Sequence, residues 1–267
     1  LKVLMLFVAG VVVVAILLGK NPMTLFAGLG ATSAVLMLVF KDTITGLAAG
    51  VRLTSNDMLH KGDWITVKSV DANGIVEDMS LTTVKVRNFD NTIVTISPIT
   101  LVNGSFQNWI GMQKSGGRRV KRVVYFDFRS VRLVDETLKR NLLAKHFATE
   151  DSFKLKESLQ KAIDKDIQEG KDIEDLKNPA ALAPTNLQLY RKFMEKYLRQ
   201  RPEVNTDLTL MVRHMEATQC GLPIEFYFFI KDKVWVNYEH ILADIMEHAY
   251  ALANEFGLKI YEQYPEQ

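Results

Sequence analysis

The sequence predicts a membrane protein in three parts: an α-helical transmembrane hairpin with a kinked second helix, a small all-β domain, and an α+β domain. Two uncharged apolar runs near the start of the 267-residue chain predict the hairpin. Short segments rich in β-branched residues, separated by turn residues, predict the β domain. Strand and helix patterns mixed over the second half of the chain predict the α+β domain.

The two apolar runs are long enough to cross a bilayer. We assign the first helix to residues 1–20, in which Val3–Gly19 carries no charge and rises about 25 Å. The second helix spans residues 22–55, and its uncharged part, Met23–Phe40, rises about 27 Å. Because Leu1 lies inside the first run, we expect further residues to precede it. More cations follow the second run than lie between the runs, so the positive-inside rule predicts a cytoplasmic C-terminal part.

The composition and the missing motifs argue against several classes of function. The formal net charge is +2, which gives no large basic field for nucleic acid. Cys220 is the single cysteine, so the chain has no intramolecular disulfide framework and a reducing compartment is expected. The sequence carries no P-loop, nucleophile motif or zinc-ligand spacing. We therefore predict no enzyme activity, no cofactor and no metal site.

Small residues are concentrated in the second helix, where they let helices approach closely in lipid. The densest group is Ala27, Gly28, Gly30 and Ala31. This group is consistent with a dimerising anchor, or with a helix packed against copies of itself around an axis.

One face of the second helix changes character along its length. At helical spacing it presents Ala27, Ala31, Ala34, Leu38 and Lys41. The face is smooth, then bulky and apolar, then charged. Such a face is suited to line a narrow pore in which an apolar ring at Leu38 excludes water.

The second apolar run ends at Lys41-Asp42, but helix-compatible sequence continues beyond it. Residues 44–53, ITGLAAGVRL, are too apolar for a loop and too few to span a membrane. We therefore predict a kink near Lys41-Asp42, at the membrane edge, followed by an interfacial helical segment. No proline occurs there, so the bend must arise from the charges and from the Thr-Gly cluster at 43–46.

Residues 56–112 are predicted as the β domain, a small barrel or sandwich. Its strand-like segments alternate apolar and polar residues and are WITV, GIVEDMSL, TTVKVRNF and TIVTIS. Residues 71–74 and Asp90-Asn91 are the turn signals between them, and Pro98 ends the last hairpin.

Residues 113–267 are predicted as an α+β domain of ferredoxin-like type, with an extra, highly charged helical segment at about 150–205. Its first strand begins with a basic run, whose cations are Arg118, Arg119, Lys121 and Arg122. Such a run is typical of a solvated strand start. The alternatives are a nucleic-acid contact, an anionic-lipid contact or the rim of an ion portal.

Several of these segments together resemble one family. GLGA and LVFKDTITGLAAGVRL are followed by KGDWITV, by NGIVEDMSLTTVKVRNFDNTIVTIS, by a proline and by QNW. This order resembles the small-conductance mechanosensitive channel (MscS) family over about residues 22–111. The KD junction and the FDN turn resemble its miniconductance (YbdG-like) branch. The resemblance implies a mechanosensitive ion channel of the bacterial inner membrane, which opens under tension and releases ions and small solutes during hypo-osmotic shock.

The resemblance also implies an assembly and a pore seal. Seven copies form the channel among membrane lipids. A β domain of Sm-like type and the α+β domain then form a cytoplasmic vestibule with side portals. The family's inner and outer pore-sealing leucines match Leu38 and Ala34, and Met37 is a further candidate for the seal.

Further positions follow from the same resemblance. Lys41 and Asp42 fall at the family's kink, where glycine or another small residue is usual. Gly46 and Gly50 lie in the interfacial segment, and Gly50 matches the glycine of the family's AAG motif.

A different class of function is also compatible with the sequence: a non-conducting, membrane-anchored cytoplasmic assembly that binds a protein or RNA partner. The extra segment at 150–205 and the bulky residues 37–40 motivate this alternative. Phe89, Phe106 and Trp109 supply aromatic rings of the kind that stack on bases in RNA-binding sheets. Core packing explains these rings better, so we expect no nucleic acid to bind.

Overall fold

The computed structural model describes residues 2–154, 161, 165 and 183–262. The chain divides into two compact units, Leu1–Gly111 and Met112–Gln267, and each has its own hydrophobic core. The first unit contains α1 (Lys2–Leu17), α2 (Pro22–Ser55), β1 (Trp64–Val67), β2 (Ala72–Met79), β3 (Val84–Asn88), β4 (Ile93–Ile96), α3 (Pro98–Asn103) and β5 (Gln107–Asn108). A short helix, α4 (Ile110–Lys114), crosses the boundary between the units. The second unit contains β6 (Arg118–Phe126), α5 (Glu136–Ala144), α6 (Asn186–Gln200), β7 (Met211–His214), β8 (Leu222–Ile230) and α7 (Trp235–Glu255).

The two N-terminal helices pack against each other. The side chain of Asn21 caps α2 by accepting a hydrogen bond from the Met23 N–H at 2.9 Å, and Pro22 occupies the first turn, where its missing N–H costs nothing. Among the described helices, α2 alone is long and apolar enough to cross a membrane. Helix α1 has 16 described residues, and Gly19 turns the chain after it with a φ of 61°.

Helix α2 stays α-helical through Lys41 and Asp42, so the charge pair does not break it. The Thr45 hydroxyl donates a hydrogen bond to the Lys41 carbonyl at 2.7 Å. Such back-bonding to the preceding turn often bends a helix. The kink near Lys41-Asp42 stays a prediction, and Thr45 is the local feature that supports it.

The β domain is a five-stranded antiparallel sheet in the order β4-β3-β2-β1-β5. Its strands alternate buried and exposed residues, as the sequence pattern predicts. The buried side chains form one core with Leu53 of α2 and Leu101 of α3. The C-terminal end of α2 is therefore part of the β domain's core.

One local prediction for this domain is wrong. The turn expected at 71–74 contains only Asp71, with a φ of 52°, because Ala72–Gly74 already belong to β2. Gly74 lies within β2 and allows β3 to approach closely, because a Cβ at this position would lie 1.9 Å from the Arg87 carbonyl oxygen. Pro98 follows the end of the last hairpin, as predicted, and it begins α3, whose six residues are too few to show a helical period in the sequence.

The second unit contains a three-stranded antiparallel sheet in the order β6-β8-β7. Ile260 adds a bridge to Phe126 at the free edge of β6. Residues of α5, α6 and α7 share one core with the sheet. Gly257, with a φ of 67°, follows the end of α7, and a glycine in this conformation is a common helix stop. Much of the segment predicted at 150–205 lies outside the described residues, and its last part forms α6.

The central strand β8 carries a buried charge. The Glu225 side chain is fully buried, and its carboxylate accepts a hydrogen bond from Arg213 Nε at 2.6 Å. Lys121 Nζ lies 3.6 Å from the other carboxylate oxygen. The hydrogen bond from Arg213 holds the pKa of Glu225 below its usual range, against the opposing effect of burial. Since Arg213 lies on β7 and Lys121 on β6, this carboxylate ties the three strands together.

Replacing this carboxylate should destabilise the second unit. In Glu225→Gln the neutral amide leaves two cations without their anion, and we expect a loss of roughly 1–3 kcal/mol at pH 7 in chemical unfolding of the purified protein. A lowered carboxyl pKa stabilises the fold above the unfolded value, about 4.3 for Glu, and this stabilisation disappears as the pH falls through the folded value. The difference between variant and parent should therefore shrink below about pH 4.

The matched control is Glu239→Gln. The Glu239 side chain is 43% exposed and lies 3.9 Å from Arg122, and exposed ion pairs contribute at most about 1 kcal/mol. Equal losses for the two variants would contradict a stabilising role for the buried carboxylate.

Candidate functional site

The candidate site is one face of α2. Six residues of this face line a cavity of about 480 Å³: Ala34, Met37, Leu38, Lys41, Ile44 and Thr45. Their spacing of three, four and seven residues places them on one side of the helix. The structure thus brings the three predicted seal residues together with Lys41, and the cleft they form is apolar except for one ammonium group and one hydroxyl group.

This face is exposed within the chain. Met37 and Leu38 are each 73% exposed, and every residue from Ala27 to Thr45 is classed as exposed. An apolar helix with so much exposed surface is stable when lipid or other helices cover it, and it is unstable in water. The partners of this face therefore lie outside the described residues.

The small residues near the start of α2 have no packing role within the described part of the chain. A Cβ added at Gly28 or Gly30 would meet no described atom within 4 Å, and the same holds for Gly46. Ala27 and Ala31 are exposed. Their small size leaves room for close approach by something other than this chain.

Gly50 differs from these glycines because it is in tight contact. A Cβ at Gly50 would lie 2.3 Å from the carbonyl oxygen of Leu81, in the turn between β2 and β3. Ala49 and Leu53 beside it are buried, at 2% and 0% exposure. The end of α2 therefore lies directly on the β-domain backbone, and only glycine permits this distance.

The segment that leaves α2 is held by a polar network. Asp63, which is only 7% exposed, accepts hydrogen bonds at Oδ2 from the His60 N–H at 3.0 Å and from Asn108 Nδ2 at 2.8 Å. Asn108 Nδ2 also donates to the Met58 carbonyl at 3.3 Å. Residues of the GDW and QNW segments thus meet around the exit of the helix. Sequence reasoning missed this contact, although both segments were part of the resemblance.

The aromatic residues of the β domain divide into two groups. Trp64 and Trp109 stack with ring centroids 4.6 Å apart, and Phe89 meets Trp64 edge-on at 5.3 Å. The indole N–H groups donate to Asn73 Oδ1 and Thr66 Oγ1. Phe106, by contrast, packs against the core. The three rings considered as a base-stacking platform do not form one surface.

The basic run on β6 is engaged on both faces of its sheet. Its four cations have four different partners: Arg118 lies over the Tyr238 ring at 4.3 Å, Arg119 lies 6.0 Å from the Tyr227 ring, Lys121 pairs with Glu225, and Arg122 pairs with Glu239. Alternation along the strand sends successive cations to opposite faces, so they do not form one continuous basic patch. A portal rim built by these residues stays a prediction.

Comparison with known proteins gives one family match and several relatives. Residues 42–111 match the family described as "Mechanosensitive ion channel, beta-domain". The large-conductance mechanosensitive channel MscMJLR of Methanocaldococcus jannaschii is 29% identical over 149 residues, which cover 55% of this chain and 40% of that protein. The small-conductance mechanosensitive channel MscMJ of the same organism is 33% identical over 90 residues, covering 34% of this chain and 25% of that protein. The chain therefore spans less than half the length of these relatives.

Two solved structures share the fold. Arabidopsis thaliana MSL1 superposes with a TM-score of 0.62 at 11% identity, over 98% of this chain and 74% of that chain. Helicobacter pylori MscS in its closed state superposes with a TM-score of 0.58 at 13% identity, over 99% of this chain and 80% of that chain. The likeness confirms an MscS-like fold with an N-terminal apolar helix and β-rich domains.

Gly50→Ala tests the contact between α2 and the β domain. The added methyl group would collide with the Leu81 backbone, which cannot rotate away, so we expect a loss of about 1–3 kcal/mol in unfolding of the purified protein. Gly46→Ala is the matched control on the same helix, where the new Cβ meets no described atom and helix propensity favours alanine by up to about 1 kcal/mol. If both variants unfold at the same midpoint as the parent, the close contact between Gly50 and Leu81 does not contribute to stability.

Proposed function

We propose that this chain, which carries the β-domain of MscS-family mechanosensitive channels, builds an ion channel that opens under membrane tension and releases ions and small solutes during hypo-osmotic shock. The observation that carries the proposal is the exposed face of α2. This face forms a cleft lined by Ala34, Met37 and Leu38, while the C-terminal end of the same helix packs against the β domain.

In this proposal α2 lines the pore. Leu38, with Ala34 and Met37 beside it, forms a constriction that is apolar enough to expel water when narrow. Tension favours the open state because that state occupies more membrane area, just as a ligand favours the state that it binds better. A modest widening of the apolar ring then restores water and ion passage.

The assembly we propose is a homo-oligomer in the membrane, of seven copies by family resemblance. The small residues Ala27, Gly28, Gly30 and Ala31 let neighbouring α2 helices lie close together and slide. The open space beside Gly28 and Gly30 and the exposure of Ala27 and Ala31 support this role. Membrane lipids cover the remaining apolar surface of the helices.

The location we propose is a bacterial inner membrane, which a multi-pass protein crosses with its large C-terminal part in the cytoplasm. The cations that follow α2 support this orientation. Within the family, the Lys41-Asp42 junction and the Phe89–Asn91 turn support the miniconductance branch.

In this proposal, charged residues near the inner end of α2 determine the ion selectivity. Lys41 shares a face with Leu38, so copies around an axis place a ring of ammonium groups below the seal. A cationic ring favours anions. Asp42 anchors the kink at the membrane edge, and the basic run at 118–122 borders the side portals.

The seal is tested by recording from the full-length protein in liposome patches under stepped suction. Leu38→Ser should lower the tension threshold, because a hydroxyl group in the constriction stabilises water there. Leu36→Ser is the matched control: it changes the same residue type about 200° around the helix, and its threshold should stay near the parent's.

The other outcomes of this recording are also informative. Tension-dependent steps with an unchanged Leu38→Ser threshold would move the seal towards Met37 or Ala34. Silence of parent and variant up to patch rupture, with insertion confirmed, would reject the channel and favour a non-conducting assembly.

Ion choice is tested by Lys41→Glu in the same patches, under a salt gradient. Reversing the charge of the ring should move the reversal potential towards the cation equilibrium potential, and Lys41→Gln should give an intermediate value. An unchanged reversal potential in Lys41→Glu would show that Lys41 does not face the ion path.

A further inference from the structure

The second unit contains a small cavity where the segment that follows α5 meets α6. Its volume is about 160 Å³. Among the described residues, three basic side chains line this cavity and no carboxylate does; the three are His146, Lys192 and Lys196. We call it the basic cavity. A concave site lined by charges of one sign attracts ligands of the opposite sign, so its lining points to an anion.

The helical period places the two lysines side by side. Lys192 and Lys196 are four residues apart on α6, and like charges at this spacing repel each other. Within the described residues, no ion pair or hydrogen bond engages either ammonium group. Other charges of the same helix are engaged, since Arg191 and Glu195 bond the carbonyl and the N–H of Val212 at 3.3 and 3.0 Å. A bound anion would relieve the repulsion between the lysines.

Hydroxyl groups complete the polar lining. Thr149 Oγ1 and Ser152 Oγ both face the basic cavity and lie 3.2 Å apart, and Ser152 Oγ also accepts a hydrogen bond from the Thr149 N–H at 3.1 Å. Each hydroxyl carries one proton, and the bond between the two oxygens uses only one of these protons. One O–H donor is therefore available to a ligand. The His146 ring adds an N–H donor whether or not it is protonated.

The position of His146 is fixed by the end of α5. His146 has a φ of 59°, and the N–H groups of His146 and Phe147 donate to the carbonyls of Leu143 and Leu142 at 3.0 and 2.9 Å. This pair of bonds is the common C-terminal helix motif in which glycine usually occupies the position held here by His146. The cavity is thus lined by a segment whose backbone is already ordered.

The apolar part of the lining is packed against the core. Phe147 and Phe193 meet edge-on with ring centroids 5.2 Å apart, and both contact the ring of the fully buried Phe256. Leu189 is only 3% exposed. Apolar walls lower the local dielectric constant, so an ammonium group attracts an anion more strongly here than on an open surface.

The volume limits the ligand to a small group. At about 30 Å³ for each water, the basic cavity has room for about five water molecules, which matches the five heavy atoms of a phosphate group. Pockets for whole drug-sized molecules are larger, at about 300–1,000 Å³. The cavity therefore fits a phosphate group, either as the free ion or as the end of a larger molecule whose remainder stays outside.

We propose that the basic cavity binds a phosphate group, whose oxygens pair with the ammonium groups of Lys192 and Lys196 and accept hydrogen bonds from the hydroxyl and imidazole groups. Charge-assisted bonds of this kind are the strong ones in phosphate recognition. The inference goes beyond the proposed channel function and does not depend on it. The phosphate belongs either to a soluble molecule or to a lipid headgroup, and the test distinguishes these sources.

The test is calorimetric titration of the full-length protein in detergent with inorganic phosphate at constant ionic strength. Lys192→Gln should weaken binding about threefold to fivefold, and Lys192→Gln combined with Lys196→Gln should weaken it about tenfold or more. Lys192→Arg combined with Lys196→Arg should keep the parent's affinity, because guanidinium groups also pair with phosphate. Arg199→Gln is the matched control: it removes an exposed cation of α6 that does not line the cavity, and it should bind as the parent does.

Thermal unfolding gives a second readout. Phosphate should raise the unfolding midpoint of the parent and leave that of the double glutamine variant unchanged. Without phosphate, the double variant should be at least as stable as the parent, because it lacks the repelling pair.

The source of the phosphate is decided by comparing glycerol 3-phosphate with a short-chain phosphatidic acid. Equal affinities that depend on the two lysines assign a soluble phosphate, and tighter binding of the phosphatidic acid assigns a lipid headgroup. Equal phosphate titrations of the parent and the double glutamine variant overturn the proposal, as does a parent that responds to phosphate no more than to chloride at the same ionic strength. None of these measurements requires the protein to conduct, so failure of the cavity proposal and failure of the channel proposal are distinguishable.

Discussion

The architecture of the first unit depends on one close approach, between the backbone of α2 at Gly50 and the backbone of the β2–β3 turn at Leu81. No side-chain rotation can relieve a contact between two backbones, so the helix and the turn keep a fixed spacing. Leu53, one turn further along, extends the contact into the β-domain core. The last turns of α2 consequently behave as part of the β domain, and a force that acts on the helix reaches the sheet without loss to flexible side chains.

This attachment places one continuous helix in two environments. From Ala27 to Thr45 the helix exposes apolar and small residues, and near its end it buries Ala49, Gly50 and Leu53 against protein. The exposed part would promote aggregation in water, and no described atom lies close to where a Cβ on its glycines would be. Both facts are resolved when copies of the helix and lipid surround it. The proposal of a tension-gated pore therefore rests on the contrast between the two halves, since one half is exposed and apolar and the other half is held by the β domain.

The sequence predicts those features that repeat locally. The apolar run of α2 and the alternating strands of the β domain are visible because burial in lipid or in a sheet imposes a period on many neighbouring residues. Features that depend on distant partners are not visible in this way. The contact of Asp63 with Asn108 joins positions 45 residues apart, and the role of Gly74 depends on Arg87 in the next strand. Likewise, the partners of the cations on β6 lie on β8 and α7, and the sequence of the run does not show them. The seal candidates come from helical spacing together with family resemblance, and the sequence alone did not show the cleft that they share with Lys41.

The backbone contact at Gly50 and the segment 56–63 that follows α2 connect this helix to the β domain in parallel, and they differ in kind. The glycine contact is steric and therefore insensitive to pH or salt. The segment is held by hydrogen bonds from Asn108 to Asp63 and to the Met58 carbonyl, and by the buried side chain of Leu59. In a homo-oligomer that opens as a unit, each copy contributes the same attachment, and equal contributions add in free energy. A small change in one of these hydrogen bonds, repeated by symmetry, can therefore adjust a threshold that the rigid contact alone would leave constant.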